Sequence, residues 1–61
     1  MNATKIIAIA DEMRARYGIE TARLMDKRAD DNREAGDNEA AVFWAQVAEA
    51  VRAQATVVRD R

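Results

Sequence analysis

Residues 35–44 constrain the fold most, because this segment ends one helix and begins another. Gly36 has no Cβ, so it can adopt the left-handed conformation that closes a helix. Asp37 follows it, and its short side chain can accept a hydrogen bond from the free amides of a new first turn. Phe43 and Trp44, the single Phe and the single Trp of the chain, then stand side by side. The segment predicts a small helical hairpin or bundle.

The composition is strongly helical and leaves few ways to stabilise a fold. The 61 residues include two Gly and no Pro, Cys or His, so disulfides and the common zinc sites are excluded. A chain of this length forms a single helical domain, 1–61, and buries only about 60% of the surface that its unfolded form exposes. Tight packing or self-association must then supply stability. We expect a homo-oligomer or a complex with a protein partner.

Apolar periodicity predicts three helices, at about residues 4–17, 20–35 and 38–59. In the first, apolar side chains recur at helical spacing and form one stripe. In the third, a main stripe that contains Trp44 lies beside a second strip that contains Phe43, so the apolar face is wide enough to contact two helices. The candidate core or interface residues are Ile6, Ile9, Met13 and Tyr17 in the first helix and Phe43, Trp44, Val47, Val51, Val57 and Val58 in the third. We expect Trp44 at the centre of the core.

Gly18 leaves two architectures open. It directly follows Tyr17, the last residue of the first stripe, which is typical of a helix stop, and Ile19 could then pack back on the preceding turn. Alternatively Gly18 lies inside one long helix, where it would cost about 1 kcal/mol relative to Ala. The first case predicts an all-α, three-helix bundle in which Gly18, Gly36 and Asp37 are the stop and cap residues. The second predicts a two-helix hairpin that dimerises into a four-helix bundle.

Several classes of function are disfavoured by the residues present. Ten basic and eleven acidic residues give a net charge of −1, whereas nucleic-acid and anionic-membrane binders usually carry a basic excess. The acidic stretch at 30–39 does not match a calcium loop, because Arg33 and Ala35 occupy ligand positions. The longest apolar run, residues 6–10, is too short to cross a bilayer. We expect no catalysis, cofactor, metal or membrane, and a cytoplasmic location.

A helix-turn-helix is the alternative interpretation. Residues 9–24 contain a Gly followed by an apolar residue and a new helix, which is the usual turn of that motif. Arg14 stands where the turn prefers a small residue, and acidic side chains in the second helix would repel phosphates. In this alternative, nucleic acid would be bound by side chains on or near the second helix: Glu20, Thr21, Arg23, Lys27 and Arg28.

Much of the chain also carries a characteristic series of small, aliphatic and aromatic residues. It consists of Tyr17-Gly18, Ala22, Ala29, Gly36-Asp37, Phe43-Trp44, Val47-Ala48 and Ala50-Val51. In this pattern the chain resembles a group of short all-helical proteins common in alphaproteobacteria. The resemblance implies a bacterial helical protein and brings no activity or ligand with it. The sequence as a whole predicts a small non-catalytic protein that acts by helix–helix contact.

Overall fold

The computed structural model describes residues 3–59, with side chains over residues 4–54. Helix α1 is Ala3–Tyr17, a 3-10 turn covers Gly18–Glu20, α2 is Thr21–Glu34 and α3 is Asn38–Arg59. Within this described part, residues 35–37 alone are not helical and no strand occurs. The all-α class is confirmed.

The expectation of three separate helices was wrong. Gly18 has φ of 64°, a left-handed conformation that ends α1. The residues after it form a 3-10 turn that leads into α2 without a loop, so α1, the turn and α2 make one helical stretch over residues 3–34. The described chain therefore has two helical stretches, 3–34 and 38–59, and the first is interrupted at Gly18.

Thr21 fastens the end of α1 to the start of α2. Its hydroxyl donates to the carbonyl of Gly18 at 2.6 Å and lies 3.4 Å from the carbonyl of Met13. Its backbone N–H also points to the Gly18 carbonyl. Because these groups satisfy one another, a polar side chain can be fully buried here. A buried Thr21 differs from the exposed residue that a recognition helix would need.

The core lies where α1 and α2 both pack on α3. Met25 of α2 and Val47 of α3 are fully buried. The two shorter helices contact α3 far more than they contact each other. The 15 residues of α1 and the 14 residues of α2 are thus held in place mainly by their contacts with the long helix. The buried cluster is Ile6, Ala10, Met25, Val47, Ala48 and Val51.

The turn between α2 and α3 satisfies the free backbone groups of both helix ends. The N–H of Asp37 donates to the carbonyl of Asn32 at 2.8 Å, and the N–H of Gly36 donates to the carbonyl of Arg33 at 3.1 Å. This pair of bonds is a Schellman motif, which requires the left-handed φ of 88° at Gly36. The N–H of Ala40 then donates to Oδ1 of Asp37 at 3.1 Å, so Asp37 is the N-cap of α3.

We expect Gly36→Ala to lower the free energy of unfolding by about 1–2 kcal/mol, because a Cβ strains the left-handed conformation. A Cβ there would meet no atom within 4 Å, so the cost is conformational alone. Urea denaturation followed by circular dichroism measures it. Gly36→Asn is the matched control and should lose less, since Asn tolerates this conformation. Equal losses for Ala and Asn would contradict the explanation.

Candidate interaction surface

Phe43, Trp44 and Arg28 form an aromatic cluster beside the core. The ring centroids of Phe43 and Trp44 are 4.9 Å apart with the planes at 77°, an edge-to-face contact. The guanidinium carbon of Arg28 lies 4.9 Å from the centroid of the Trp44 ring, within range of a cation–π interaction. The cluster joins α2 to α3 and leaves part of each aromatic ring open to solvent.

The structure places Trp44 at the edge of the core and corrects the prediction that it lies at the centre. Trp44 and Phe43 are half-buried and pack against the central cluster. Ala29 of α2 and Ala41 and Ala48 of α3 are buried, and these two helices contact each other more than any other pair of elements. Small side chains let two helices approach closely, and an indole ring then fits only at the margin. The periodicity correctly predicted that Trp44 lies on the side of α3 that faces the core, but it did not predict how deeply the ring is buried.

The other predicted core residues divide into three groups. Ile6, Val47 and Val51 are buried, while Ile9 and Met13 are half-buried against them. Tyr17 is 37% exposed and is not a core residue, because α1 ends there and the chain turns away at Gly18. The side chains of Val57 and Val58 lie outside the described residues.

An open groove lies beside the 3-10 turn. Its volume is about 570 Å³, and it is lined by Asp11, Arg14, Ala15, Gly18, Ile19, Ala22, Val51 and Arg52. Ile19 at its rim is 99% exposed, so the expectation that it packs back on the preceding turn was wrong. Sequence analysis missed this groove. The one available signal was an isolated Ile in the connection after Gly18.

Two polar contacts fasten α3 to the other helices around this groove. Nη1 of Arg14 donates to Oε1 of Gln54 at 3.2 Å, between α1 and α3. Arg52 of α3 donates to the carboxylate of Asp26 in α2. The hydrogen bond and the charge of Asp26 raise the pKa of Arg52 above its usual value. Both partners are about half exposed, so water screens the pair and its contribution is small.

The aromatic cluster and the groove both offer apolar side chains for packing, and the charged side chains beside them can form ion pairs. Among the described residues, no group of three His, Cys, Asp or Glu side chains comes together to hold a metal ion. In residues 3–59, no helix is both long enough and apolar enough to cross a bilayer. Comparison of the chain with protein-family models, with curated proteins and with solved structures found no match.

We expect Trp44→Ala to lower the free energy of unfolding by about 2 kcal/mol, less than the ~3–5 kcal/mol typical of a fully buried Trp, because the ring is only half-buried. Trp44→Phe should keep most of the packing and lose less. Urea denaturation followed by circular dichroism measures both variants. A loss above ~4 kcal/mol for the Ala variant would instead place Trp44 at the centre.

We expect Asp26→Asn to lower stability by less than about 1 kcal/mol, since it removes one exposed ion pair. The loss should shrink as salt is added, because salt screens exposed charges. Thermal denaturation in low and high salt tests this. Asp31→Asn, which breaks the exposed 3.5 Å pair with Lys27 inside α2, is the control for a pair that joins no two helices. A larger loss that does not depend on salt would contradict the assignment.

Proposed function

We propose that this chain is a small non-catalytic helical protein that acts by helix–helix contact, either with a second copy or with another protein. The observation that carries the proposal is the amount of surface left exposed after folding. The accessible surface is 4521 Å². A compact monomer of 6.8 kDa exposes about 4,000 Å².

The shape supports the same proposal. The radius of gyration is 11.5 Å, and the molecule measures 40 × 23 × 18 Å. A compact domain of this length has a radius of about 10.5 Å. The long helix α3 extends the molecule, and two short helices cannot cover it completely. An elongated small domain has a weak core, and association is a common way to complete it.

The exposed surface includes large apolar side chains. Ile7 and Val42 are each about half exposed, and Ile19 is almost completely exposed. The partly exposed side chains of Phe43 and Trp44 add aromatic surface, and Trp is enriched among residues that dominate binding energy. These side chains can pack against a partner but carry no nucleophilic or acid–base group. Their presence on the exposed surface supports a non-catalytic role without a cofactor.

For the assembly, we propose a helical bundle in which α2 and α3 form an antiparallel pair and α1 packs across α3. A second copy would bury part of the apolar surface that a single chain leaves exposed. A cytoplasmic location belongs to the same proposal and is supported by a sequence without Cys.

The nucleic-acid alternative has less support. All four basic side chains of α2 already have a partner on the protein, which would have to be given up for phosphate. Arg23, Lys27 and Arg33 face carboxylates at 3.9, 3.5 and 2.7 Å. Arg28 covers Trp44, and Thr21 is buried. No observation specifically favours this function.

We expect the mass in solution to rise above the 6.8 kDa of one chain as concentration increases from about 10 μM to 1 mM. Sedimentation equilibrium measures the mass. The melting temperature should rise with it, because association stabilises only the folded state. A mass of one chain throughout this range, with a constant melting temperature, would contradict self-association. Binding of an RNA or DNA oligonucleotide that weakens steeply with salt would favour the alternative instead.

A further inference from the structure

We propose that the groove beside the 3-10 turn docks a second copy of this chain across a two-fold axis, with Ile19 of each copy in the groove of the other. This inference rests on the proposed function and names the surface and the partner. It begins from Ile19, the most exposed large apolar side chain among the described residues, at 99%. An isolated exposed apolar residue is ordinary, but one at the rim of an apolar groove is not.

The groove has the composition of a docking site for an aliphatic side chain. Ala15, Gly18 and Ala22 line it with small groups, and the buried Val51 forms part of its wall. A volume of about 570 Å³ exceeds that of an Ile side chain several times, so neighbouring backbone can enter with it. Gly18 keeps this side open, since a Cβ built there would meet no atom within 4 Å.

A second copy fits because the Ile19 side chain and the groove lie on the same face of the molecule. In a two-fold dimer the same patch is used by both copies, so each contact occurs twice. Ile19 is itself part of the groove rim. One two-fold rotation can therefore place Ile19 of each copy in the groove of the other copy. The exposed Ile19 and the open groove are then explained without another protein.

Three charged side chains line the groove, and Arg52 among them is paired with Asp26, which leaves one acid and one base to complement each other between copies. Asp11 and Arg14 both line the groove, yet among the described residues neither forms an ion pair. The described hydrogen bond of the Arg14 side chain goes to the neutral amide oxygen of Gln54. A two-fold axis through the groove would set Asp11 of one copy near Arg14 of the other, with opposite charges facing.

The area predicts a weak dimer. Eight residues line the groove, far fewer than the roughly 20–30 residues a side, or roughly 800 Å² per partner, of a standard stable interface. Interfaces at this end of the range are usually transient. The dimer should therefore form in the micromolar range or above, and it should weaken as salt is added.

The first test compares Ile19→Lys with Val42→Lys by sedimentation equilibrium of the full chain. Val42 is a matched control, since it is about half exposed on α3 and does not line this groove. We expect Ile19→Lys to lower the association constant about 100-fold or more, because two buried side chains are lost per dimer. Val42→Lys should leave it unchanged. Both variants should keep the helical circular dichroism of the original chain.

The second test places one Cys at the axis. The sequence contains no Cys, so Ile19→Cys and Val42→Cys each carry a unique thiol. A short bismaleimide should join two copies of the Ile19→Cys chain and not two copies of the Val42→Cys chain. Cross-linking of the Val42 variant instead would overturn the proposed groove.

The outcomes separate this inference from the proposed function. If the original chain associates and Ile19→Lys associates equally well, the groove is overturned while self-association stands. If the original chain remains one copy at all concentrations, both self-association and this dimer are overturned. If the chain stays monomeric but binds another protein through Ile19, the proposal that a second copy occupies the groove is overturned.

Discussion

The close approach of α2 and α3 determines most of this structure. Buried alanines at 29, 41 and 48 allow the two helices to pack closely, and the Gly36–Asp37 turn connects them directly. Met25 and Val47 are fully buried in the central cluster. The largest side chain, Trp44, is consequently displaced to the margin, where it contacts Phe43 and Arg28. Close packing through small residues thus leaves the aromatic side chains at the margin of the core.

The same packing through small residues limits how much the chain can bury. Alanines contribute little apolar area, so the core depends on a few larger residues and on α1 packing across α3. The small core and the elongated shape leave apolar surface exposed at Ile7, Ile19 and Val42. In our proposal, association with a second chain buries Ile19, and the position of this residue beside a groove gives the contact a specific geometry. Structure and proposed function are then consequences of one deficit in buried area.

Local signals in the sequence predicted the helix ends well but predicted poorly how deeply individual side chains are buried. The predicted helix ranges and the observed ones differ by one residue or so, since caps and glycines act through hydrogen bonds a few residues apart. The predicted stripe on α1 contained Tyr17, but the helix ends there and the ring is partly exposed. The helix-turn-helix alternative needs an exposed Thr21, whereas the hydroxyl of Thr21 donates to the Gly18 carbonyl and is buried. Such errors arise because burial depends on what packs opposite, which periodicity does not contain.

The sequence by itself determined the all-helical class and the stop and cap at Gly36 and Asp37, because each depends on backbone geometry and bonds within one turn. It left open whether Gly18 ends a helix or lies inside one. The tertiary structure alone decided that the first two helices join through a 3-10 turn, that Trp44 lies at the edge, and that Ile19 stands exposed beside a groove. These features depend on how closely α2 approaches α3 and on where α1 crosses it. Contacts between residues distant in the chain fix both, and no local pattern records them.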